Sequence, residues 1–249
     1  MILKPGIEVA QLIVGEPQEE QSYFNLQNQS IPFDKVTKIK NVFPMPKALN
    51  LGIRKAEHEY IGLIAADIVL DLDANEKIQT CISLSKKIIK ENKLYSIRFA
   101  IYDPFIDKIL RRAQRVYYTK NATRVLFEND LKNDVVAARL SREMGFKEYF
   151  PREPVVIGTH FDKPRNKEYV FRRFYVWGIK SSQVSKFKIR SWTFPCPKLE
   201  ELHKKTKDPL YKVAIKAFDL GFRDKDRYYG TVHNIVKDKE VFEKYKNQI

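Results

Sequence analysis

The segment from residue 48 to residue 70 constrains the fold more than any other part of the chain. Apolar residues recur at helical spacing behind Pro46 as far as Ala56, and an unbroken apolar run from Tyr60 to Ile64 follows them. That run is too short for a buried helix, so the segment predicts a short helix and then a buried strand. In open α/β sheets ligands bind beyond the carboxyl ends of the strands, which makes Asp67 a candidate functional carboxylate.

A second carboxylate is predicted at the start of a helix between residues 133 and 147. Apolar residues share one helical face and Gly145 ends the helix, so Asp134 falls in its first turn. The residues of that face are Val136, Ala137, Leu140 and Met144. A carboxylate there is held rigidly beside a cleft, although the common alternative is that Asp134 complements the helix dipole and Asn133 caps the helix.

The first segment resembles the nucleotide-sugar half of inverting GT-A glycosyltransferases. In that family the strand ends in a carboxylate-x-carboxylate pair, the DXD motif, whose last aspartate holds a divalent metal on the donor's diphosphate. The triplet Ala65-Ala66-Asp67 lies in this place and lacks the first carboxylate. The resemblance implies that Asp67 is a ligand of Mn²⁺ or Mg²⁺, and that Ala66 and Asn50, the latter from the pattern Ala-x-Asn-x-Gly-Ile, line the donor site.

The second segment resembles the family signature Glu-Asp-x-Asp-Leu-x-x-Arg-Leu-x-x-x-Gly-Tyr. Asp134 takes the place of the general base, and Asn133 replaces the preceding glutamate. The resemblance implies a single in-line displacement that inverts the sugar. Asp134 would take the proton from an acceptor hydroxyl, while the metal would neutralise the charge that grows on the departing nucleoside diphosphate.

A third match to the family is His160, which follows the apolar run at residues 155 to 157. Many relatives carry a histidine at this point that completes the metal shell or meets the diphosphate. The alternative is a hydrogen-bonded structural histidine. His58, His203 and His233 show no ligand spacing, and we expect them to face solvent.

Three further donor contacts follow from the resemblance. The turn Gly15-Glu16-Pro17 lies where the family's first strand meets the nucleotide base. Asn41 closes the second predicted strand, where relatives usually carry an aspartate that touches the nucleoside. Arg124 is a candidate contact for a phosphate or for the acceptor, and the alternative is an ordinary surface arginine.

The resemblance implies an α/β fold of the GT-A type, with a mixed, mainly parallel sheet flanked by helices. We expect this Rossmann-like catalytic domain in residues 1–165, and a basic, mostly helical C-terminal extension packed on it in residues 166–249. Helical periodicity also predicts a single helix from Glu76 to Glu91 and a stop at Gly221. Another helix is expected to start at Asp103 and to carry basic residues toward a phosphorylated or acidic acceptor, although the common alternative is an ordinary solvated face. Those basic residues are Lys108, Arg111, Arg112 and Arg115.

Charge is spread unevenly over the 249 residues. The net charge is +15, of which residues 1–160 carry +4 and residues 161–249 carry +11. Such a field attracts nucleic acid, anionic lipid headgroups or diphosphates. Aromatic residues interleave with arginines and lysines at residues 169–177 and 187–194, which suits an anionic membrane surface. The alternative is that long basic side chains simply cover apolar surface.

Composition excludes several classes of protein. No apolar run approaches the ~20 residues that span a bilayer, and no signal-peptide pattern opens the chain, so a cytoplasmic protein, soluble or peripheral at the membrane, is expected. Cys81 and Cys196 lie far apart in the sequence, which argues against a zinc site or a disulfide framework.

Three functions remain open from the sequence. The first is an active glycosyltransferase that uses a nucleotide sugar and a glycan, lipid-linked or protein acceptor. The second is a catalytically degenerate relative that binds a nucleotide sugar or a glycan, motivated by Ala65, Ala66 and Asn133. The third is a nucleic-acid-binding protein, motivated by charge alone, since no nucleic-acid-binding motif is present and no specific nucleic acid is expected.

Overall fold

A computed structural model describes residues 2–13, 19–42, 44–128, 133–160, 166–185, 196–224 and 239–249. The chain divides into two compact units, one of residues 1–128 and 133–162 and the other of residues 129–132 and 163–249. The predicted boundary between residues 165 and 166 lies at the edge of a segment outside the described residues and stays a prediction.

The first unit contains one mixed sheet with helices along the chain between its strands. Its elements are β1 (Lys4–Ile13), α1 (Glu19–Gln27), β2 (Lys35–Lys40), α2 (Met45–Lys55), β3 (His58–Ala65), β4 (Ile68–Leu70), α3 (Ala74–Leu84), α4 (Lys86–Lys90), β5 (Leu94–Asp103), β6 (Lys108–Tyr118), α5 (Thr119–Ala122), α6 (Asn133–Glu143), β7 (Lys147–Tyr149) and β8 (Val156–His160).

The strand order is β2-β1-β3-β6-β5-β8-β4, and β7 pairs with β5 beside β8. Strands β1, β2 and β3 are parallel, whereas β6 runs antiparallel to both β3 and β5. The carboxyl ends of β1, β2 and β3 therefore meet at one edge of the sheet, where open α/β sheets bind their ligands. The predicted α/β fold class is confirmed.

Both faces of the sheet are covered. Alternate residues of each strand belong to different apolar clusters, with Val9 and Ile64 on one face and Ala10 and Leu63 on the other. Helix α3 contributes Ile78 to the first cluster. Because side chains of a strand alternate between faces, strands buried on both sides read as continuous apolar runs, which explains the pattern from Tyr60 to Ile64.

The prediction of a helix that starts at Asp103 is wrong, because its basic residues lie in strand β6. The Asp103 carboxylate accepts hydrogen bonds from the backbone N–H groups of Phe105 (3.1 Å) and Ile106 (3.4 Å), which closes a tight turn. The chain then returns antiparallel to β5, with Ile109 opposite Tyr102. Strand propensity in the run from Val116 to Tyr118 and pairing with β5 outweigh the helical spacing of the basic residues.

Three other local predictions are corrected. Residues 76–91 form two helices rather than one, since α3 ends at Leu84 and α4 begins at Lys86. Met144 is exposed instead of packing with the apolar face of α6. His58 is buried, and its Nδ1 lies 2.9 Å from the Glu8 carboxylate, which also accepts the His58 backbone N–H. The His58 imidazole is buried because it pairs with the Glu8 carboxylate on the neighbouring strand β1.

The second unit is helical in its described residues. It contains α7 (Lys167–Ser185), α8 (Cys196–Thr206), α9 (Pro209–Arg223) and α10 (Lys239–Tyr245). The aromatic segment at residues 169–177 lies in α7, where Phe171, Phe174 and Tyr175 are fully buried and thus unavailable to a bilayer surface. The segment at residues 187–194 and His233 lie outside the described residues, and His203 is half-buried. None of the described helices is both long enough and apolar enough to cross a membrane.

Helices α7 and α9 cross at two glycines. A Cβ at Gly178 would lie 2.2 Å from the carbonyl oxygen of Phe218, and a Cβ at Gly221 would lie 2.0 Å from the carbonyl oxygen of Tyr175. Gly221 was predicted as a helix stop, but α9 continues to Arg223 and the glycine serves the crossing instead. Beyond it, the hydroxyls of Tyr175 and Tyr245 both donate to Asp224 (2.6 and 2.8 Å).

This close approach leads to a stability prediction for Gly221→Ala. The added methyl group collides with backbone rather than with a movable side chain, so we expect a loss of about 3 kcal/mol in the free energy of unfolding, partly offset by a gain of about 1 kcal/mol in helix propensity. Urea denaturation followed by circular dichroism measures the difference. Lys212→Ala on the exposed face of α9 is the control, and equal stability of the two variants would contradict the close crossing.

Candidate functional site

Asp67 lies in the turn that connects β3 to β4 at the carboxyl edge of the parallel strands. The preceding residue, Ala66, is buried, and its backbone N–H donates to the Leu12 carbonyl oxygen (3.0 Å). This bond continues the β1–β3 ladder by one residue and fixes the point at which the chain leaves the sheet. The Asp67 side chain remains partly exposed at that point.

His160 is brought to Asp67 by strand pairing. It is the last residue of β8, and its partner in the antiparallel pairing with β4 is Ile68. Two residues earlier, a Cβ at Gly158 would lie 2.5 Å from the Val69 carbonyl oxygen, so glycine permits the close approach of β8 to β4. The result is a distance of 3.1 Å between His160 Nε2 and Asp67 Oδ2.

This pair fits two neighbouring positions of a divalent ion. Ligands about 2.1 Å from an octahedral ion are about 3.0 Å apart when they occupy adjacent positions. Mn²⁺ and Mg²⁺ accept carboxylate oxygen, and Mn²⁺ also accepts imidazole nitrogen. Within the described residues, no three side chains of histidine, cysteine, aspartate or glutamate converge on one point. With these two side chains as the ligands that the described residues bring together, water or a bound diphosphate would fill further positions.

Asp134 lies in the first turn of α6, as predicted, and Gly145 follows the helix with a φ of 81°. The exposed fraction of the Asp134 side chain is 42%. A carboxylate oxygen lies 3.8 Å from Nη2 of Arg115, and the same Nη2 donates to the backbone carbonyl oxygen of Asp134 (3.2 Å). The proposed base is thus open to solvent on one side and held by a guanidinium on the other.

Arg115 also ties Asp134 to the carboxyl edge of β3. Strand β6 pairs with β3 as far as Gly62 and Val116, and the Gln114 side chain donates to the carbonyl oxygen of Leu63 just beyond (2.7 Å). Arg115 therefore lies level with Leu63, near the carboxyl end of β3 and a few residues before Asp67. The contacts of Arg115 thus place Asp134 beside the β3–β6 strand pair, in the same unit as Asp67.

Behind Asp134 lies an ion cluster formed by Arg98, Arg115 and Glu148. Arg98 donates to both carboxylate oxygens of Glu148 (2.8 and 3.3 Å), and the Ser96 hydroxyl donates to one of them (2.9 Å). Arg115 Nε lies 3.4 Å from the same carboxylate. Burial alone would raise the pKa of Glu148, but Arg98 and Arg115 outweigh burial and hold this pKa below its ordinary value.

Sequence reasoning did not find this cluster. Arg98 stands alone in the apolar run of β5, between Ile97 and Phe99, and a charged residue inside such a run is the signal that could have marked it. Arg115 was assigned to a helix, and Glu148 carried no motif. Their convergence depends on pairing of β5 with both β6 and β7.

The other predicted donor residues have diverse surroundings. Asn41 follows β2 in a left-handed conformation, and its backbone N–H donates to Ile13 at the end of β1 (3.1 Å). Arg124 is exposed, with its guanidinium 5.0 Å from the centre of the Phe146 ring. Gly15, Glu16 and Pro17 lie outside the described residues.

Asn50 has a structural partner on another part of the chain. Its side-chain amide donates to the Phe127 carbonyl oxygen (2.9 Å) and accepts the Phe127 backbone N–H (2.8 Å). Both ends of the amide are therefore engaged in anchoring the segment that leads toward α6. A role for Asn50, Asn41, Ala66 or Arg124 in donor binding stays a prediction.

Comparison with known proteins identifies the fold of the chain. No known family and no curated protein sequence matches the chain. Among solved structures, the mannosyltransferase PcManGT from Pyrobaculum calidifontis, in complex with GDP-Man and Mn²⁺, aligns over 94% of this chain and 79% of its own, with a TM-score of 0.51 and 13% identity. The fold is GT-A-like.

Two further solved structures are more distant from this GT-A-like chain. S. aureus TarS aligns over 87% of the chain with 11% identity and a TM-score of 0.43, and the chain spans about half (49%) of that protein. The CMP:2-keto-3-deoxy-manno-octonic acid synthetase complexed with CTP aligns over 62% of the chain and 91% of its own, with 10% identity and a TM-score of 0.38. At these identities the likeness concerns the fold alone.

Proposed function

We propose that this protein is a glycosyltransferase that moves a sugar from a nucleoside-diphosphate sugar to an acceptor hydroxyl with inversion at the anomeric carbon. The observation that carries the proposal is the 3.1 Å contact of Asp67 with His160 at the carboxyl edge of the sheet. Asp134 lies in the same unit, beside the β3–β6 strand pair. The GT-A-like fold and a structural neighbour bound to GDP-Man and Mn²⁺ support it.

In this proposal Asp67 and His160 hold a divalent cation, and Mn²⁺ suits the mixed oxygen and nitrogen set better than Mg²⁺ does. When bound, the cation supplies positive charge to the diphosphate of the donor. The first carboxylate of the DXD pair is Ala65 here, so the ion has one fewer protein anion than in relatives with both aspartates. We therefore expect weak affinity for the cation alone and stronger binding in the presence of a diphosphate.

Asp134 acts as the general base in this proposal. Its partly exposed carboxylate accepts the proton of the acceptor hydroxyl as that oxygen attacks the anomeric carbon. A base that works in this way needs a fixed orientation and an open face, and Asp134 has both. One displacement of this kind inverts the configuration of the sugar.

Thermal-shift measurements test the donor and cation sites together. We expect a nucleoside-diphosphate sugar plus Mn²⁺ to raise the melting temperature, by about 5–10 °C at a hundredfold excess over Kd, because ligands that bind only the folded state stabilise it. The panel contains GDP-mannose, UDP-glucose and UDP-N-acetylglucosamine, each with and without Mn²⁺. Asp67→Asn and His160→Gln should each remove most of the Mn²⁺-dependent part of the shift.

Asp71→Asn is the matched control for Asp67→Asn. Asp71 follows β4 at its other end, is partly exposed and pairs with Lys77 (3.2 Å) rather than with His160. Its replacement should leave the Mn²⁺-dependent shift unchanged. A shift of equal size in the absence of Mn²⁺, or in Asp67→Asn, would count against the proposed cation site, and no shift with any sugar nucleotide would count against the proposed function.

A further inference from the structure

Arg115 has an unusual environment for an arginine on a strand. Its side chain is 7% exposed, yet Nη2 reaches both the carbonyl oxygen and the carboxylate of Asp134, while Nε faces Glu148. A guanidinium is a planar fork that can satisfy two acceptors on different sides, whereas a lysine ammonium acts as a single point charge. The geometry of this contact therefore requires arginine.

The register of the sheet makes the arrangement energetically costly unless it is compensated. Arg98 of β5 and Arg115 of β6 are direct cross-strand partners. Like charges in such positions destabilise a sheet, and burial adds a desolvation penalty. Glu148 enters from β7 and neutralises one of the two positive charges. A second carboxylate, that of Asp134 at the surface, lies 3.8 Å from Arg115 Nη2.

The exposure of the four side chains rises from the interior to the surface. Glu148 and Arg115 are 8% and 7% exposed, Arg98 is 13% exposed and Asp134 is 42% exposed. At 7% exposure, with Nη2 bonded to Asp134 and Nε 3.4 Å from Glu148, Arg115 has little surface left for a substrate phosphate. An apolar group would pack the strand junction at least as well as a buried ion pair. An apolar replacement of Arg115 would keep the packing but would lose the contact with Asp134, so this contact is the feature that packing does not explain.

We propose that Arg115, oriented by Arg98 and Glu148, is a positioning residue that fixes the carboxylate and the backbone of Asp134 for proton transfer. This inference rests on the proposed function, because it assigns a role relative to the base. It extends that function by three residues that no motif of the sequence marks. The cluster acts through Asp134 and does not touch the substrate.

Arg115→Lys tests the inference because it keeps the charge and loses the fork. The assay measures release of nucleoside diphosphate from the sugar nucleotide that gives the largest thermal shift in the panel, with Mn²⁺ present. We expect the turnover to fall about 10- to 100-fold, since small displacements of a catalytic group have effects of this size. The Kd for the donor should stay within about twofold, because ground-state binding does not involve the base. Arg54→Lys, an exposed arginine in the last turn of α2, is the control.

Combination with Asp134→Asn separates positioning from a purely structural role. If Arg115 acts through Asp134, then Arg115→Lys adds no further loss of turnover in the Asp134→Asn background, because residues that act as a unit are non-additive. An additive loss, or a parallel loss of donor affinity, overturns the inference. Unchanged turnover in Asp134→Asn alone refutes the proposed base and with it the positioning role, whereas loss in Asp134→Asn with full turnover in Arg115→Lys refutes only the latter.

A milder variant keeps the test decisive if Arg115→Lys does not fold. Ser96→Ala removes one hydrogen bond to Glu148 and leaves every charge in place. We expect a two- to fivefold lower turnover at unchanged donor affinity, again absent in the Asp134→Asn background. Wild-type turnover in Ser96→Ala, together with an unfolded Arg115→Lys, would assign the cluster to stability and overturn the positioning role.

Discussion

Asp134→Asn is expected to lower the turnover of sugar transfer by about 10²–10⁴-fold, the usual contribution of a general base. The amide keeps the size of the side chain and a carbonyl oxygen toward Arg115, but it cannot accept the proton of the attacking hydroxyl. Donor binding should persist, since Asp67 in the β3–β4 turn and His160 at the end of β8 make their contact without Asp134. Steady-state kinetics with the identified donor, together with calorimetric titration of the nucleoside diphosphate, measure both quantities.

Glu143→Gln is the matched control for this experiment. Glu143 ends the same helix, is exposed and forms a surface pair with Arg139 (3.6 Å), so its replacement should change turnover less than twofold. Full turnover in Asp134→Asn would exclude the base assignment. Donor binding by a wild-type protein that shows no turnover at all would instead favour the catalytically degenerate relative.

Glu148→Leu is expected to have the largest effect on stability, a loss of about 3–5 kcal/mol in the free energy of unfolding. The replacement leaves Arg98 and Arg115 buried side by side without the carboxylate that separates their charges. Chemical denaturation monitored by circular dichroism gives the difference. For a unit of about 160 residues the melting temperature should fall by about 10 °C.

Glu91→Gln provides the comparison for Glu148→Leu. Glu91 also lies between two cations, Lys93 and Lys147 (3.5 and 3.6 Å), but it is 37% exposed. Surface pairs of this kind contribute about 0–1 kcal/mol, so this variant should unfold close to the wild type. A similar small loss in both variants would mean that the buried cluster is not essential to the first unit.

Low pH should weaken the buried cluster of Arg98, Arg115 and Glu148. The pKa of Glu148 is held below its ordinary value in the folded protein, so the group contributes stability that is fully present above the unfolded-state pKa of about 4.3. That stability is lost as the pH falls through the lower, folded-state pKa. In unfolding titrations the wild type should therefore lose stability more steeply below about pH 4 than Glu148→Leu does.

The parts of the fold that sequence reasoning predicted are those determined by local pattern. Helix α2, strand β3 and the placement of Asp67 follow from a switch of apolar period from 3.6 to a continuous run. The start of α6, and Asp134 within it, follow from one apolar face and a glycine stop. These features depend on neighbours within a few residues, which a single sequence contains.

The predictions that were wrong concern residues whose structure depends on pairing between distant segments. The segment from Lys108 to Tyr118 has basic residues at helical spacing, but the turn closed by Asp103 and the pairing with β5 make it a strand. His58 was expected to face solvent because it shows no ligand spacing, yet it is buried against Glu8, fifty residues earlier. Neither partner can be identified from spacing, because a strand's neighbour in the sheet is set by topology rather than by sequence distance.

The central position of β5 has a consequence for how the site is acquired during folding. This strand contacts β6, β7 and β8, which carry Arg115, Glu148 and His160. Strand β6 follows β5 across a tight turn, but β7 and β8 are distant from β5 in the sequence. Pairings of such range are slow to form, and none of the three completes the site alone. Catalytic competence should therefore appear late and cooperatively, and a bound sugar nucleotide would report on the integrity of the whole sheet rather than on the order of one loop.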